Sequence, residues 1–226
     1  MKKVVLFGTQ KMGEMAYFYF TKDSPMVPAA FALDAQYIDR REYYGLPVVA
    51  FEEVQQKYPP DDFDMFIAIG YAKLNRLRAE KYRQANEKGY RLVSYVSSKI
   101  MSLDPVETGD NCFILENQVI QPHVRFGNNV FVWSGNHFGH DVVVDDHTWV
   151  ASHVVVSGNV KIGKHCFIGI NASIRDGIEI ADETLVGAGA VMLRSSKPKD
   201  VYIGKQTEKY PLNSEQFMRM TDVSGH

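Results

Sequence analysis

The pair of residues best suited to catalysis is a histidine beside a carboxylate, His140 and Asp141, at a position where the sequence predicts a turn. Gly158 follows 18 residues later. If the chain winds one coil every 18 residues, Gly158 lies about 5 Å from His140, the ordinary spacing of neighbouring strands. A histidine oriented by a carboxylate can take a proton from a nucleophile, and an exposed glycine N–H can stabilise an oxyanion. No serine or cysteine nucleophile is needed if the substrate itself attacks.

Such coils are predicted by an apolar position that recurs every six residues between 114 and 197, without insertion. The fourteen apolar positions are Ile114, Ile120, Phe126, Val132, Phe138, Val144, Val150, Val156, Ile162, Ile168, Ile174, Ile180, Val186 and Met192. A helix repeats at 3.6 residues and a simple strand at 2, so neither pattern explains this run. A fixed six-residue period is typical of a parallel β-helix, in which three hexads make one coil. The alternative, a β-sandwich, requires turns every 8–12 residues and is disfavoured.

Composition excludes several classes of function. The formal net charge is −2, which gives no electrostatic footprint for nucleic acid or an anionic membrane. No apolar run has membrane-spanning length, and the strand pattern after Lys3 is too short for a signal-peptide core. We therefore expect a cytoplasmic protein. Cys112 and Cys166 are three coils apart, beyond the reach of a disulfide, so we expect free thiols.

Residues 1–98 alternate strand and helix patterns, which predicts a doubly wound α/β domain. We expect strands over 3–8, 30–34, 44–49, 63–70 and 91–96, and helices up to residue 20 and over 51–58 and 72–88. The β-helix is assigned to 99–204, although 198–204 leave the six-residue register. The tail, 205–226, is expected to hold a short helix.

The first strand is followed by a glycine loop, Gly8 to Gly13, that precedes a helix. Backbone N–H groups in such a loop can approach a phosphate. Gln10 stands where a full GxGxxG motif has its middle glycine. From this loop alone, a plain strand-to-helix turn is as good an interpretation as a phosphate site, and no nicotinamide cofactor follows.

A second stack of residues lies immediately before the core positions at intervals of 18: Phe113, Phe131, Trp149, Phe167 and Leu185. Side chains alternate along a strand, so this aromatic ladder is predicted to point outward. An exposed apolar stripe normally marks an interface. We expect self-association through the ladder. Cover by the N-terminal domain is the alternative.

The hexad run resembles the left-handed β-helix, or hexapeptide-repeat, acyltransferases, and both halves together are similar to the bacterial sugar acyltransferases of the NeuD/PglD type. The strongest local matches are residues 66–70, 139–141 and 158–171. The resemblance implies an α/β N-terminal Rossmann-like domain followed by an all-β left-handed parallel β-helix. It also implies a homotrimer.

The resemblance assigns roles to residues at matching positions. His140 would be the general base, Asp141 its polar partner, and the Gly158 amide would polarise a thioester carbonyl. Acetyl-CoA would lie between neighbouring subunits at Ile170, Asn171, Gly187 and Ala188. A nucleotide-linked sugar would bind at the strand ends of the first domain, at Gly8, Thr9, Gln10, Asp34 and Gly70.

Three departures limit the resemblance. Gln10-Lys11-Met12 replaces a common Ser-Gly-His, Tyr71 stands where a polar residue is common, and the sequence from Gly204 to Thr207 replaces a closing Gly-x-Pro-Ala. His147 and His165 should stack, but the H-x4-H pair of the γ-class carbonic anhydrases, which share this fold, is missing. We therefore expect no metal site.

The function predicted from the sequence is transfer of an acetyl group from acetyl-CoA to the amino group of a nucleotide-linked deoxyamino sugar. Acetylation of a sugar hydroxyl, as in sialic acid, is an alternative that the sequence leaves open. A non-catalytic β-helix that serves only in assembly is an alternative from a different class, since fold alone does not dictate function.

Overall fold

The computed structural model describes residues 3–221. The N-terminal part is an α/β domain. Its strands are β1 (Lys3–Phe7), β2 (Val27–Leu33), β3 (Glu42–Tyr43), β4 (Leu46–Ala50) and β5 (Phe63–Ile67). Its helices are α1 (Lys11–Lys22), α2 (Val54–Lys57) and α3 (Arg76–Glu87), with 3₁₀ turns at Ala35–Tyr37 and Phe51–Glu53.

The five strands form one sheet in the order β3-β4-β2-β1-β5, in which only β3 is antiparallel to its neighbour. Across the sheet, the parallel strands come in the order β4-β2-β1-β5. Counted along the chain these are the third, second, first and fourth parallel strands, an order found in doubly wound sheets. Because parallel strands end at the same edge, the loops after β1, β2 and β5 lie side by side.

The rest of the chain winds into coils made of three parallel sheets, here called sheets I, II and III. Sheet I comprises β8 (Glu107–Thr108), β11 (Arg125–Phe126), β14 (Val143–Val144), β17 (Lys161–Ile162) and β20 (Glu179–Ile180). Sheet II comprises β7 (Met101–Ser102), β10 (Val119–Ile120), β13 (His137–Phe138), β16 (Val155–Val156), β19 (Ser173–Ile174) and β22 (Val191–Met192). Sheet III comprises β6 (Tyr95–Val96), β9 (Phe113–Ile114), β12 (Phe131–Val132), β15 (Trp149–Val150), β18 (Phe167–Ile168), β21 (Leu185–Val186) and β23 (Val201–Tyr202).

The predicted period of 18 residues per coil is confirmed by strand pairing. Phe131 pairs with Phe113 on one side and with Trp149 on the other, and the same offset recurs through all three sheets. The second residue of each strand from β9 to β22 is buried in a shared core that also contains Cys112 and Cys166. Both cysteines are free, as expected.

Many coil turns contain a residue with φ near +60°, a conformation that Asn, Asp and His tolerate better than most side chains. These positions are filled by Asn117, His123, Asn129, Asp141, His147, His153, Asn159, His165 and Asn171, among others. The high histidine content of the coils therefore has a conformational explanation for most of its members.

Two predicted elements of the first domain were wrong in their boundaries. The stretch 91–96 does not add a full fifth strand to the α/β sheet. Leu92 makes only an isolated bridge to Met65, and β6 is the first strand of sheet III. The helix predicted from 72 begins at Arg76, because Lys73, Leu74 and Asn75 all have positive φ.

The coils also begin and end differently from the hexad run. Sheets I and II contain one earlier strand each, β8 and β7, whose core positions are the polar residues Thr108 and Ser102. At the other end β23 pairs with β21 at an offset of 16 residues, so the coil continues after the register is lost.

The expectation that the aromatic ladder mediates self-association was wrong for its first three residues, whereas Phe167 and Leu185 are half-buried. The α/β domain of the same chain covers the first three: Phe66 stacks on Phe131 at 5.8 Å and lies 5.4 Å from Phe113, and Tyr71 lies 5.1 Å from Trp149. Phe113, Phe131 and Trp149 are buried. Outward apolar side chains indicate that a surface is covered, but they carry no information about the covering element.

The tail contains the expected short helix, α4 (Ser214–Thr221), none of whose residues is buried. Residues 222–226 of the predicted loose end lie outside the described residues. Between residues 3 and 221, no helix is long and apolar enough to span a bilayer.

Candidate active site

The chain passes through the three sheets in the order III, II, I, so each coil has three corners. Corner A lies between sheets III and II, corner B between sheets II and I, and corner C between sheets I and III. The α/β domain covers sheet III and places α3 along corner C, where Tyr82 donates a hydrogen bond to Asp110 at 2.5 Å. Corner B is therefore the corner opposite the α/β domain of the same chain.

His140 lies at corner B, immediately before the left-handed residue Asp141, whose φ is 60°. The imidazole Nδ1 is 2.8 Å from Asp141 Oδ2, and the two side chains are 52% and 50% exposed. A carboxylate at Nδ1 favours the tautomer with the proton on that atom, which leaves Nε2 as an acceptor. His140 differs from His123, His147, His153 and His165 in its backbone. Those four residues themselves occupy left-handed turn positions, whereas at the turn of His140 the left-handed residue is Asp141.

Gly158 lies one coil beyond His140, as predicted from the spacing. A Cβ atom built at Gly158 would lie only 2.6 Å from His140 Nε2, so the ring rests directly over this glycine. The expectation of an exposed glycine was wrong, because Gly158 is buried beneath this ring; in residues 3–221 its N–H donates no hydrogen bond. One coil earlier, the N–H of His140 is capped by Gln121 Oε1 at 2.9 Å. The structure thus brings a free histidine nitrogen and an unused amide together, the combination that base catalysis and oxyanion stabilisation require.

The four residues predicted to hold the acyl donor lie at corner A, in two successive coils. Ile170 is exposed, and the N–H of Gly189 donates to its carbonyl at 2.8 Å. Asn171 occupies a left-handed turn position with φ 57°. The N–H of Gly187 donates to Tyr202 at 2.7 Å, and Ala188 follows it. Sheet II separates these residues from His140, so within one chain the donor and base positions lie at opposite edges of that sheet.

The residues predicted to bind the nucleotide-linked sugar lie at the carboxyl edge of the α/β sheet. Gly8, Thr9 and Gln10 follow β1, Asp34 follows β2 and Gly70 follows β5. Gly8 has φ 121°, and a Cβ there would lie 2.6 Å from Ala68 O. A Cβ at Gly13 would overlap Gly8 O, so the second glycine allows α1 to pack closely on the end of β1. The loop therefore has a structural explanation, and its role in phosphate binding stays a prediction.

Asp34 already has a partner that the sequence did not indicate. Lys81 of α3 lies with Nζ 2.5 Å from Asp34 Oδ1, and both side chains are mostly buried. The same ammonium lies over the rings of Phe7 and Phe51 at 5.5 and 5.3 Å. A ligand that approached Asp34 would also meet this cation. Lys81 lies on a helix rich in charged residues, so no pattern distinguished it from solvent-exposed lysines.

His147 and His165 stack as predicted, with ring centroids 4.8 Å apart at corner C. Burial lowers the pKa of His147 to about 4, and the neighbouring His165 adds to the effect. Burial also lowers the pKa of His165. Both rings are therefore neutral at pH 7. Within the described residues, no three His, Cys, Asp or Glu side chains converge as metal ligands would.

Residues 159–194 match the family model described as bacterial transferase hexapeptide (six repeats). The chain carries the hexapeptide repeat. This confirms the resemblance stated from the sequence for the coils, and the matched stretch begins next to Gly158.

Solved structures share the fold of nearly the whole hexapeptide-repeat chain. The acetyltransferase domain of PglB from Neisseria gonorrhoeae has a TM-score of 0.76 at 20% identity, covering 90% of this chain and 97% of that domain. PerB from Caulobacter crescentus, solved in complex with CoA and GDP-perosamine, has a TM-score of 0.76 at 22% identity, covering 90% and 95%. The two-domain architecture is therefore shared with both.

Curated relatives match about half of the chain. A UDP-3-O-acylglucosamine N-acyltransferase of Delftia acidovorans is 34% identical over 105 residues, 45% of this chain and 30% of the relative. The protein of the same name from Herminiimonas arsenicoxydans is 30% identical over 130 residues, 56% of this chain and 35% of the relative. The chain thus spans about a third of the length of these relatives.

Proposed function

We propose that this protein is an acyltransferase that moves an acetyl group from acetyl-CoA to the amino group of a nucleotide-linked deoxyamino sugar. The observation that carries the proposal is the geometry of corner B, where His140, held by Asp141, lies over the unused amide of Gly158. When an amine attacks a thioester, positive charge develops on the nitrogen and negative charge on the carbonyl oxygen. A base and an oxyanion donor are therefore needed within a few ångströms of each other.

In the proposed mechanism, the sugar nitrogen attacks the thioester carbonyl carbon and loses its proton to His140 Nε2. Asp141 stabilises the resulting imidazolium through its contact with Nδ1. The carbonyl oxygen becomes an oxyanion and accepts a hydrogen bond from the Gly158 N–H. When the tetrahedral centre collapses, the carbon–sulfur bond breaks and coenzyme A leaves, taking the proton from His140. The product is an N-acetylated sugar, and the enzyme returns to its starting state.

The choice of donor and acceptor is supported by the proteins of like fold. PglB has been solved with acetyl coenzyme A, and PerB with CoA and GDP-perosamine. We propose that acetyl-CoA binds along corner A, at Ile170, Asn171, Gly187 and Ala188. We propose that the nucleotide binds at the Rossmann-like strand ends formed by Gly8, Thr9, Gln10, Asp34 and Gly70. A left-handed winding of the coils and a cytoplasmic location belong to the same proposal.

The proposed enzyme is a homotrimer that associates through sheet II. Sheet III is covered by the α/β domain, and sheet I presents charged residues such as Arg125, Lys161 and Glu179. Sheet II instead exposes Val155 and Val191, and it lies between the predicted donor corner and the corner that holds His140. Association through this face would bring corner A of one chain toward corner B of another, and would place His140 near a neighbouring α/β domain.

The proposal is tested by following thiol release from acetyl-CoA while UDP-, dTDP- and GDP-linked amino sugars are offered in turn. We expect turnover with one of them. His140→Ala should lower kcat by about 10²–10⁴-fold, the contribution of a general base. His147→Asn, at a left-handed turn position of corner C, is the matched control and should retain activity at neutral pH.

Each other outcome has a definite meaning. Full activity of His140→Ala would remove this residue from the mechanism. Binding of acetyl-CoA without turnover on any amino sugar would favour a hydroxyl acceptor, such as sialic acid. Failure to bind acetyl-CoA would contradict the proposed donor, and would favour another acyl donor or a non-catalytic role in assembly.

A further inference from the structure

The largest fully buried polar side chain in the described residues is Arg78, which extends from α3 into the contact between the α/β domain and the coils. Its guanidinium lies 4.3 Å from the centroid of the Phe131 ring and 5.7 Å from that of Trp149. Burial lowers the pKa of Arg78, but a guanidinium stays charged at neutral pH. A buried cation must have its donors satisfied, and no carboxylate pairs with this one among residues 3–221.

The partners of Arg78 are oxygen atoms from both parts of the molecule. On the coil side, Nη2 donates to the carbonyls of Asn129 and His147, both at 3.2 Å, and Nε donates to Asn129 Oδ1 at 3.1 Å. On the α/β side, Nη1 donates to the carbonyl of Gly70 at 3.2 Å and to Asn75 Oδ1 at 3.0 Å. One planar group thus joins two successive coils to the loop that follows β5.

That loop has an unusual backbone. Lys73, Leu74 and Asn75 have φ values of 52°, 52° and 63° in succession. Non-glycine residues adopt this conformation at a cost, and such strain persists only where surrounding contacts enforce it. Here Asn75 is fully buried, and its Nδ2 donates to the carbonyl of Cys166 at 3.0 Å. Asn75 therefore anchors the loop to a third coil, beside Arg78.

We propose that Arg78 is a positioning residue for the acceptor. With Asn75, it fixes the loop at 70–75 on the coils, so that the strand edge ending in Gly70 holds a nucleotide-linked sugar at one place relative to the coils and, in the proposed trimer, relative to corner B of a neighbouring chain. This inference rests on the proposed function. It adds a residue to which neither the sequence nor the resemblance assigned a role. A role in stability alone would require only that the two domains stay attached.

The test compares Arg78→Met, which removes every donor while keeping a long apolar side chain, with Arg78→Lys, which keeps the charge. Two quantities are measured on each full-length variant: amide hydrogen exchange, and the steady-state constants for the nucleotide sugar that the wild type accepts. For Arg78→Met we expect exchange at residues 70–76 to accelerate at least tenfold, while the Trp149 amide in sheet III stays protected. The KM for the nucleotide sugar should rise about tenfold or more, because a loosened loop must be ordered again each time the sugar binds. The Kd of coenzyme A should stay within twofold, because Arg78 makes no hydrogen bond to the proposed donor residues at corner A within residues 3–221.

Arg78→Lys should give an intermediate KM, since an ammonium can replace only part of the forked donor set. If Arg78→Met does not fold, Asn75→Gly serves in its place. Glycine tolerates the positive φ, so this variant removes the anchor without adding strain, and the same loosening and the same rise in KM are expected.

Faster loop exchange with an unchanged KM would overturn the inference, and so would an unchanged loop. Equal losses of coenzyme A and nucleotide-sugar binding would also overturn it, because they would indicate a general loss of structure. A wild-type protein that binds no nucleotide sugar would instead contradict the proposed function, and the inference would fall with it.

Discussion

Replacing Gly158 by alanine tests the geometry of corner B most directly. The added Cβ would lie 2.6 Å from His140 Nε2 and 2.8 Å from Cε1, whereas ordinary van der Waals contact begins at 3.4 Å. The ring must therefore move by roughly 0.8 Å or rotate away, which breaks its contact with Asp141. A misplacement of about 1 Å in a catalytic group costs on the order of 10²-fold in rate. We expect kcat to fall by about that factor.

The stability of Gly158→Ala should change little, because the clash is with an exposed side chain that can move. Gly127→Ala is the matched control. A Cβ there would lie 2.6 Å from Asp146 Oδ1 and 2.9 Å from the Asp146 backbone nitrogen, a clash of similar closeness at corner C. Overpacking against backbone typically costs about 1–3 kcal/mol. Gly127→Ala should thus lower the melting temperature while retaining kcat, the reverse of the result at Gly158.

The assay is thiol release from acetyl-CoA with the accepted nucleotide sugar, accompanied by thermal unfolding of each variant. A double-mutant cycle isolates the contact. In His140→Ala the ring is gone and the new methyl group fits, so adding Gly158→Ala should change kcat by no more than about threefold. A further 10²-fold loss in the double variant would refute the reasoning, because it would show that the methyl group acts independently of the ring. Wild-type kcat in Gly158→Ala alone would refute it as well.

Two further predictions concern pH and assembly. The pKa of His147 is about 4 in the folded protein against 6.5 in the unfolded chain, so its contribution to stability is complete above pH 6.5 and is lost as the pH falls toward 4. We expect the free energy of unfolding to fall by about 1–2 kcal/mol over this range, a value reduced by solvent screening. Urea unfolding at several pH values measures it. His147→Asn should flatten the dependence of unfolding free energy on pH, and an unchanged dependence would exclude His147 as its source. The double variant Val155→Glu and Val191→Glu should be monomeric in analytical ultracentrifugation, whereas Lys161→Glu on sheet I should remain a trimer. A double variant that is still a trimer would contradict association through sheet II.

The sequence by itself determined the coils and the relation of His140 to Gly158. A repeat of six residues leaves one way to bury the apolar position, and three hexads per coil then bring residues 18 apart into contact whatever surrounds them. The left-handed turn positions follow from the same register, because each turn of a coil needs a residue that tolerates positive φ. These features are local or periodic, so they can be read without knowing the rest of the fold.

Only the tertiary structure decided what covers the coils. The alternation of side chains showed that Phe131 and Trp149 point outward, but the choice between a second chain and the α/β domain depended on where α3 and β5 dock. The tertiary structure also decided that β6 belongs to sheet III rather than to the α/β sheet. The sequence could not decide this, because a short apolar strand has the same pattern in either sheet. Arg78 and Lys81 could not be distinguished from solvent-exposed cations on a charged helix, because a buried charge is recognised by its partners. Asn129 lies 51 residues from Arg78 in the chain, and Asp34 lies 47 residues from Lys81. Long-range contacts of this kind leave no periodic pattern in the sequence.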